Sequence, residues 1–218
     1  MEKYLTDMRL LFWILPLILT ASCRQTPGWQ DDLDPMEYVN WVEDMNNGLK
    51  VSKQIGNIRF TLQFKPLEYI ILKENGNPDA GKEEIIKEME QMKDMQYYTF
   101  TISADDHLSD ILKYNLNDPA DYYFRLNYFA SEMQDDLALV EGTDTLRCLL
   151  FHYERNYGLA PYTNFLLAFE KKENGEEIPD RTLIFDDGAL NSGIVKITIN
   201  GAALNRMPKL FVTTMVRK

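Results

Sequence analysis

The sequence predicts an α+β fold: a mainly antiparallel β-sheet or sandwich with two or three helices packed on one side. Three observations predict it. From residue 96 onward most segments alternate apolar and polar residues, the two-residue period of half-buried strands. The stretches between those segments are too short for crossover helices, which removes parallel βαβ units and leaves antiparallel pairing. In the first half, two stretches instead repeat their apolar residues at helical spacing behind recognisable caps.

Taken in order, Asp34 before Pro35, with Glu37 in the capping-box position, opens a helix that runs on Met36, Val39 and Val42 to Asn46, where Asn47-Gly48 stops it. Lys50 to Ile55 and Asn57 to Lys65 follow as strands turned at Gly56. The second sets Ile58, Phe60, Leu62 and Phe64 on one face and Arg59, Thr61 and Gln63 on the other. Pro66 to Glu74 fits helix or strand equally, and Asn75-Gly76-Asn77-Pro78 is a turn. Asp79 to Asp94 is the clearest helix, with Ile85, Ile86, Met89 and Met92 as its apolar stripe and Glu83 one turn ahead of Lys87, the more stabilising order.

Tyr98, Phe100, Ile102 and Ala104 then form the apolar side of a strand, and Asp106 or Ser109 is placed to cap a short helix to Tyr114. Tyr122, Phe124, Leu126 and Tyr128 alternate with Arg125 and Asn127 as a further strand. More strands are expected at Leu137 to Glu141, Thr145 to Arg155, Thr163 to Lys172, Arg181 to Asp186, Gly193 to Asn200 and Lys209 to Val216. Glu141-Gly142-Thr143-Asp144 and Glu173-Asn174-Gly175 are expected hairpin turns. With no low-complexity linker, residues 34–218 read as one domain, strand-rich from 96 onward.

Composition bounds the function. With 218 residues, 45% of them hydrophobic, the chain can hide roughly 70% of the surface it exposes when unfolded, so a core forms without staples. The net charge is -11. Before Cys23 the charges of Glu2, Lys3, Asp7 and Arg9 cancel, so the remainder keeps the whole imbalance. An acidic surface without a basic stripe repels phosphate backbones; nucleic acid is not an expected partner, and adhesion to anionic lipid by charge is disfavoured.

Residues 8–23 read M-R-L-L-F-W-I-L-P-L-I-L-T-A-S-C. Arg9 precedes an apolar run from Leu10 to Leu19, broken by Pro16 and far short of the roughly 20 residues of a membrane span. Small residues Thr20, Ala21 and Ser22 lead into Cys23, the pattern of a secretory signal with its cleavage site. The segment resembles a bacterial lipoprotein signal, with L-T-A-S-C as its lipobox, although Thr20 stands where an aliphatic residue is commoner. The resemblance covers the first tenth of the chain. It implies cleavage before Cys23 and a diacylglyceryl group on that residue, so that 1–22 is a signal peptide and 23–33 a lipid-anchored tether. The implied location is the cell envelope, at the outer membrane of a Gram-negative bacterium, on its periplasmic or surface face. Glu2 and Asp7 suit such a signal poorly, which makes Met8 the expected start. Cys148, left without a partner among Leu146, Leu149, Leu150 and Phe151, is expected to be a buried small hydrophobe.

Chemistry leaves few traces. The sequence holds no Gly-rich phosphate loop, nucleophile elbow, H-E-x-x-H or C-x-x-C. Its two histidines are His107 and His152. Asp105, Asp106 and His107 close a strand and offer a base or metal ligands, but such residues more often cap the next helix. Asp186-Asp187-Gly188 with Asn191 lacks calcium-loop spacing. No cofactor and no metal is expected. The most unusual stretch runs from His152 to Tyr162. Tyr153, Arg155, Asn156, Tyr157 and Tyr162 form a candidate recognition loop, set against the weightier structural reading in which Arg155 pairs with an acid, the tyrosines fill the core edge, and Gly158 and Pro161 shape a turn. The expected function is a non-catalytic accessory or structural subunit of the envelope. It would bind the membrane through lipid on Cys23 and protein partners through strand edges or the Tyr-rich loop. The alternative is glycan or small-ligand binding on Trp29, Trp41 and the tyrosines. A hydrolase using Asp105, Asp106 and His107 comes third.

Overall fold

The computed structural model describes residues 32–74, 82–105, 110–172 and 177–210. Helix α1 (Pro35–Glu43) opens as its first residues require: the Asp34 carboxylate accepts the Glu37 N–H at 2.9 Å and Glu37 accepts the Asp34 N–H at 3.4 Å, a closed capping box. A 3-10 turn (Met45–Asn47) and Gly48, in the left-handed conformation at φ 80°, end it.

Strands β2 (Lys50–Ile55), β3 (Ile58–Lys65), β4 (Met95–Ala104), β7 (Leu150–Glu154) and β8 (Tyr162–Glu170) form a five-stranded antiparallel sheet in the order β2-β3-β4-β8-β7. Strands β5 (Leu137–Glu141), β6 (Asp144–Arg147), β9 (Arg181–Asp187) and β10 (Gly193–Ile199) form a second in the order β10-β9-β5-β6. A parallel pair, β1 (Asp32–Leu33) with β11 (Lys209–Leu210), stands apart from both. The two antiparallel sheets face each other: Phe185 of the second meets Phe60 and Phe100 of the first at ring-centroid distances of 6.3 and 5.6 Å. The period-two apolar residues of β3, β4 and β8 are buried against those of β9 and β10, and they form one contiguous core. The α+β sandwich with packed helices is therefore the fold.

Local structure departs from the sequence expectation, settles it or adds to it at the following places. Residues 122–128 are not a strand but lie in α4 (Pro119–Ala130). The Asp118 carboxylate accepts the N–H groups of Ala120 and Asp121 at 2.6 and 3.1 Å, Pro119 sets the first turn, and Arg125, Tyr128 and Phe129 are buried at helical spacing. Phe129 packs on Phe165 of β8 at 5.3 Å, while Phe124, part of the supposed apolar face, points to solvent. Second, the single strand expected over Thr145 to Arg155 is two strands in different sheets. The chain changes sheets at Cys148-Leu149, where Gln134 donates to the Cys148 carbonyl at 3.0 Å and the Leu149 N–H to the Ala168 carbonyl at 2.9 Å.

Third, Pro66 to Glu74 resolves as helical, α2 (Leu67–Tyr69) continuing into a π-turn (Ile70–Glu74). Fourth, α5 (Gly201–Asn205) follows β10, capped by the Asn200 side chain. A β-carbon at Gly201 would lie 2.2 Å from the Ile178 carbonyl oxygen, so only glycine fits there. With α3 (Lys82–Met92), the helices number five among the described residues, more than the two or three expected. Residues 111–115 form turns where a short helix to Tyr114 was expected. The turn from Asn75 to Pro78, the hairpin turn from Glu173 to Gly175, the caps Asp106 and Ser109 and the strand beyond Leu210 lie outside the described residues. No described helix is long and apolar enough to cross a membrane.

The register defines the two ends of the sandwich. At one end Lys65 pairs with Tyr97, Phe64 lies under the Arg181 guanidinium at 5.1 Å, and Gly48 abuts Ala203 of α5. At the other, Ile58 pairs with Ala104 and Ser103 with Tyr162.

Candidate functional site

The β7–β8 connection is built by one side chain. Asn156 donates through Nδ2 to the carbonyls of Ala160, at 3.1 Å, and of Tyr162, and its Oδ1 accepts the Gly158 N–H at 2.9 Å. Together with the Leu159 N–H donated to the Asn156 carbonyl at 3.0 Å, this closes a tight loop. The loop forces Tyr157 and Gly158 into the left-handed region, at φ 54° and 77°. It leaves Tyr157 77%, Leu159 90% and Tyr162 44% exposed. The Arg155 guanidinium lies over the Tyr157 ring, 4.8 Å from its centre.

Four of the five candidate residues thus lie in or directly flank this loop: Arg155, Asn156, Tyr157 and Tyr162. Tyr153 does not join them. It shares the inward side of β7 with Phe151, and its ring stacks on Phe165 at 5.5 Å. Its hydroxyl is buried without a hydrogen-bond partner among the described residues, and burial, with Asp110 nearby, pushes its pKa up to about 12. The expected pairing of Arg155 with an acid gives way to the Tyr157 ring.

A second segment lies close against the loop. A β-carbon on Gly158 would sit 3.6 Å from the Asp110 carboxylate and 3.9 Å from the Lys113 ammonium. The turns at 111–115 are in turn held by Arg125, buried in α4, whose Nη1 donates to the carbonyls of Ile111 and Tyr114 at 2.7 and 2.8 Å. Burial lowers the Arg125 pKa, while the carboxylates of Asp121, Asp187 and Asp110 oppose that shift. Sequence reading placed Arg125 on the polar side of a strand. The signal that finds it is Asp118-Pro119, a helix start that puts residues 125, 128 and 129 on one buried face.

The remaining candidates that are described, Asp105 and His152, do not converge. Asp105 is exposed at the end of β4 and ion-paired with Arg59 at 3.1 Å. His152 is exposed on the outward side of β7, opposite Leu166 and with β8 between its strand and β4. Asp106, His107, Trp29 and Cys23 lie outside the described residues. Three surface depressions of about 530, 310 and 250 Å³ lie along α3 and beside the Arg147-Leu149 break, apart from Asp105 and His152. The Cys148 thiol is buried, donates to the Leu150 carbonyl at 3.1 Å and has its pKa pushed up to about 12 by burial, which keeps it a protonated, inert group at neutral pH. The Asp187 carboxylate accepts the N–H groups of Ala189, Leu190 and Ser192 at 3.0, 2.9 and 2.7 Å, so it serves as the cap of its own turn. No cluster of three or more His, Cys, Asp or Glu side chains suited to a metal occurs among the described residues. Trp41 is half-buried against the core rather than displayed.

No protein-family model matches the chain, and no curated protein matches it. Among solved structures, it is similar to a protein of unknown function from Burkholderia pseudomallei K96243, at 14% identity and a TM-score of 0.37 over 81% of this chain and 94% of that one.

Proposed function

We propose that the chain is a lipid-anchored, non-catalytic protein of the bacterial cell envelope that binds a protein partner through its 155–162 loop. The observation that carries the binding half is Tyr157. Holding a non-glycine residue in the left-handed region costs on the order of 1 kcal/mol. The ring so positioned is 77% exposed, so the fold recovers little by burying it. Strain retained to present an aromatic side chain to solvent points to recognition. Leu159 and Tyr162 extend the patch, and Arg155 stacked on Tyr157 restricts the ring before any partner arrives.

Glycan binding is supported less well. A sugar-stacking platform has no use for a fully displayed leucine, and Trp41 is turned to the core. The envelope half rests on the L-T-A-S-C segment, which resembles a lipobox and supports a diacylglyceryl group on Cys23 at the outer membrane of a Gram-negative cell. Two acyl chains suffice for stable attachment. The test is fractionation of cells expressing the wild-type chain or Cys23→Ser. Wild type is expected in the membrane fraction and the variant in the soluble envelope fraction; tight membrane association of Cys23→Ser would overturn the anchor.

A further inference from the structure

The segment that follows Cys23 enters the sandwich at the end opposite the Tyr157 loop. Leu33 is buried beside Leu210 in the β1–β11 pair, and α1 begins two residues later. The chain then enters β2 at Lys50, opposite Gln63, with the Phe64 N–H bonded to the Leu49 carbonyl at 2.8 Å. This is the end where β3 stops and β4 starts. Helix α5, between β10 and β11, lies there too, against Gly48. The Tyr157 loop leaves β7 after Glu154, opposite Asn164, and enters β8 at Tyr162, opposite Ser103, where β4 stops. Strand β4 has 10 residues, and at about 3.3 Å per residue the two ends stand about 30 Å apart.

We infer that in the anchored protein the Tyr157 loop faces away from the membrane that holds Cys23, and that its partner is a protein surface standing off that membrane, not one embedded in it. This rests on the lipid reading above. Residues 24–31 span at most about 30 Å even when fully extended, no more than the length of the sandwich, so the entry point stays within about that distance of the bilayer. The net charge of -11 works against the domain lying flat on anionic headgroups. A partner embedded in the same bilayer would instead meet α5 and the β1–β11 pair.

Energy transfer to the bilayer tests the orientation. The chain from Cys23 onward is coupled through that cysteine to a maleimide lipid, Cys148 being buried, and bound to phosphatidylcholine–phosphatidylglycerol vesicles that carry an acceptor dye on their headgroups. A clickable residue replaces Tyr157 in one sample and the exposed Arg206 in another and carries a short-range donor. Transfer from position 206 is expected to exceed transfer from 157 several-fold; equal transfer, or more from 157, overturns the inference. A benzophenone side chain at 157 that captures lipid in these vesicles would overturn it as well. Because the lipid is attached chemically, these outcomes are independent of whether cells lipidate Cys23, which the Cys23→Ser fractionation decides separately.

Discussion

Arg181 and Glu141 form an ion pair at 3.0 Å with side chains only 4% and 2% exposed, at the end of the sandwich where α5 packs against Gly48. The pair ties together more than its own two strands. Gln96, on the facing sheet, donates to the second Glu141 oxygen at 2.8 Å, and the Tyr98 hydroxyl donates to Gln96 at 2.6 Å. One carboxylate thereby joins β9, β5 and β4 across the core, satisfying polar atoms that would be costly to bury alone.

Removing one partner should therefore cost more than removing both. Glu141→Gln or Arg181→Met leaves a buried group without its partner and is expected to lower stability by about 3–5 kcal/mol. The double variant Glu141→Leu/Arg181→Met should lie well above either single variant. Urea unfolding of the three proteins measures this, and a double variant as unstable as the singles would show that the network does more than compensate charge.

Arg125 should govern the turns under the 155–162 loop. Arg125→Met removes the donors to the Ile111 and Tyr114 carbonyls and is expected to cost about 1–3 kcal/mol. Hydrogen exchange should speed up first at residues 111–115, with the core strands β4 and β8 protected. Uniform loss of protection would mean that Arg125 supports the whole fold instead.

Tyr157→Gly separates display from folding. Glycine removes the left-handed strain, so stability should be unchanged or rise by up to about 1 kcal/mol. A drop of more than about 1 kcal/mol, on the scale of a lost structural contact, would assign Tyr157 a structural role.

Alkaline pH should unfold the protein in a defined window. Burial raises the pKa of Cys148 from 9.0 to about 12 and that of Tyr153 from 10.0 to about 12, and raises Tyr98 and Tyr128 further. These groups are neutral when protonated, so a raised folded-state pKa means the native state holds the proton more tightly. That contribution is complete below about pH 9 and is lost as pH rises through about 12. Thermal midpoints measured from pH 7 to 12 should be flat at first and then fall. In the Cys23→Ser protein, Cys148 should resist maleimide at neutral pH until the chain unfolds.

The parts of this fold that were legible in the sequence are those decided locally. Asp34, Pro35 and Glu37 specify a helix start within one turn, and the strict alternation of β3 and β4 specifies strand and buried face together. Local patterns failed where distant residues decide. Tyr122 to Tyr128 alternates by coincidence of β-favouring aromatics, and the Asp118-Pro119 cap with burial against Phe165 overrides it. Nothing within Thr145 to Arg155 marks a change of sheet, because the residues that hold the break, Gln134 and Ala168, lie elsewhere in the chain. The loop was visible as a cluster of Tyr, Arg and Asn. Sorting Tyr153 from Tyr157 required the strand parity with Phe151 and the backbone turn that Asn156 imposes.

Partner capture tests the role proposed for the 155–162 loop most directly. Wild-type chain and a Tyr157→Gly/Leu159→Ser variant, matched in thermal midpoint, are used in parallel to retrieve proteins from solubilised envelope membranes, and retained proteins are quantified by mass spectrometry. The expected result is at least one protein held by wild type and reduced about tenfold or more by the variant, the effect of losing roughly 1.4 kcal/mol of binding. Equal retention of the same proteins by both chains would contradict the assignment of the 155–162 loop as the binding surface.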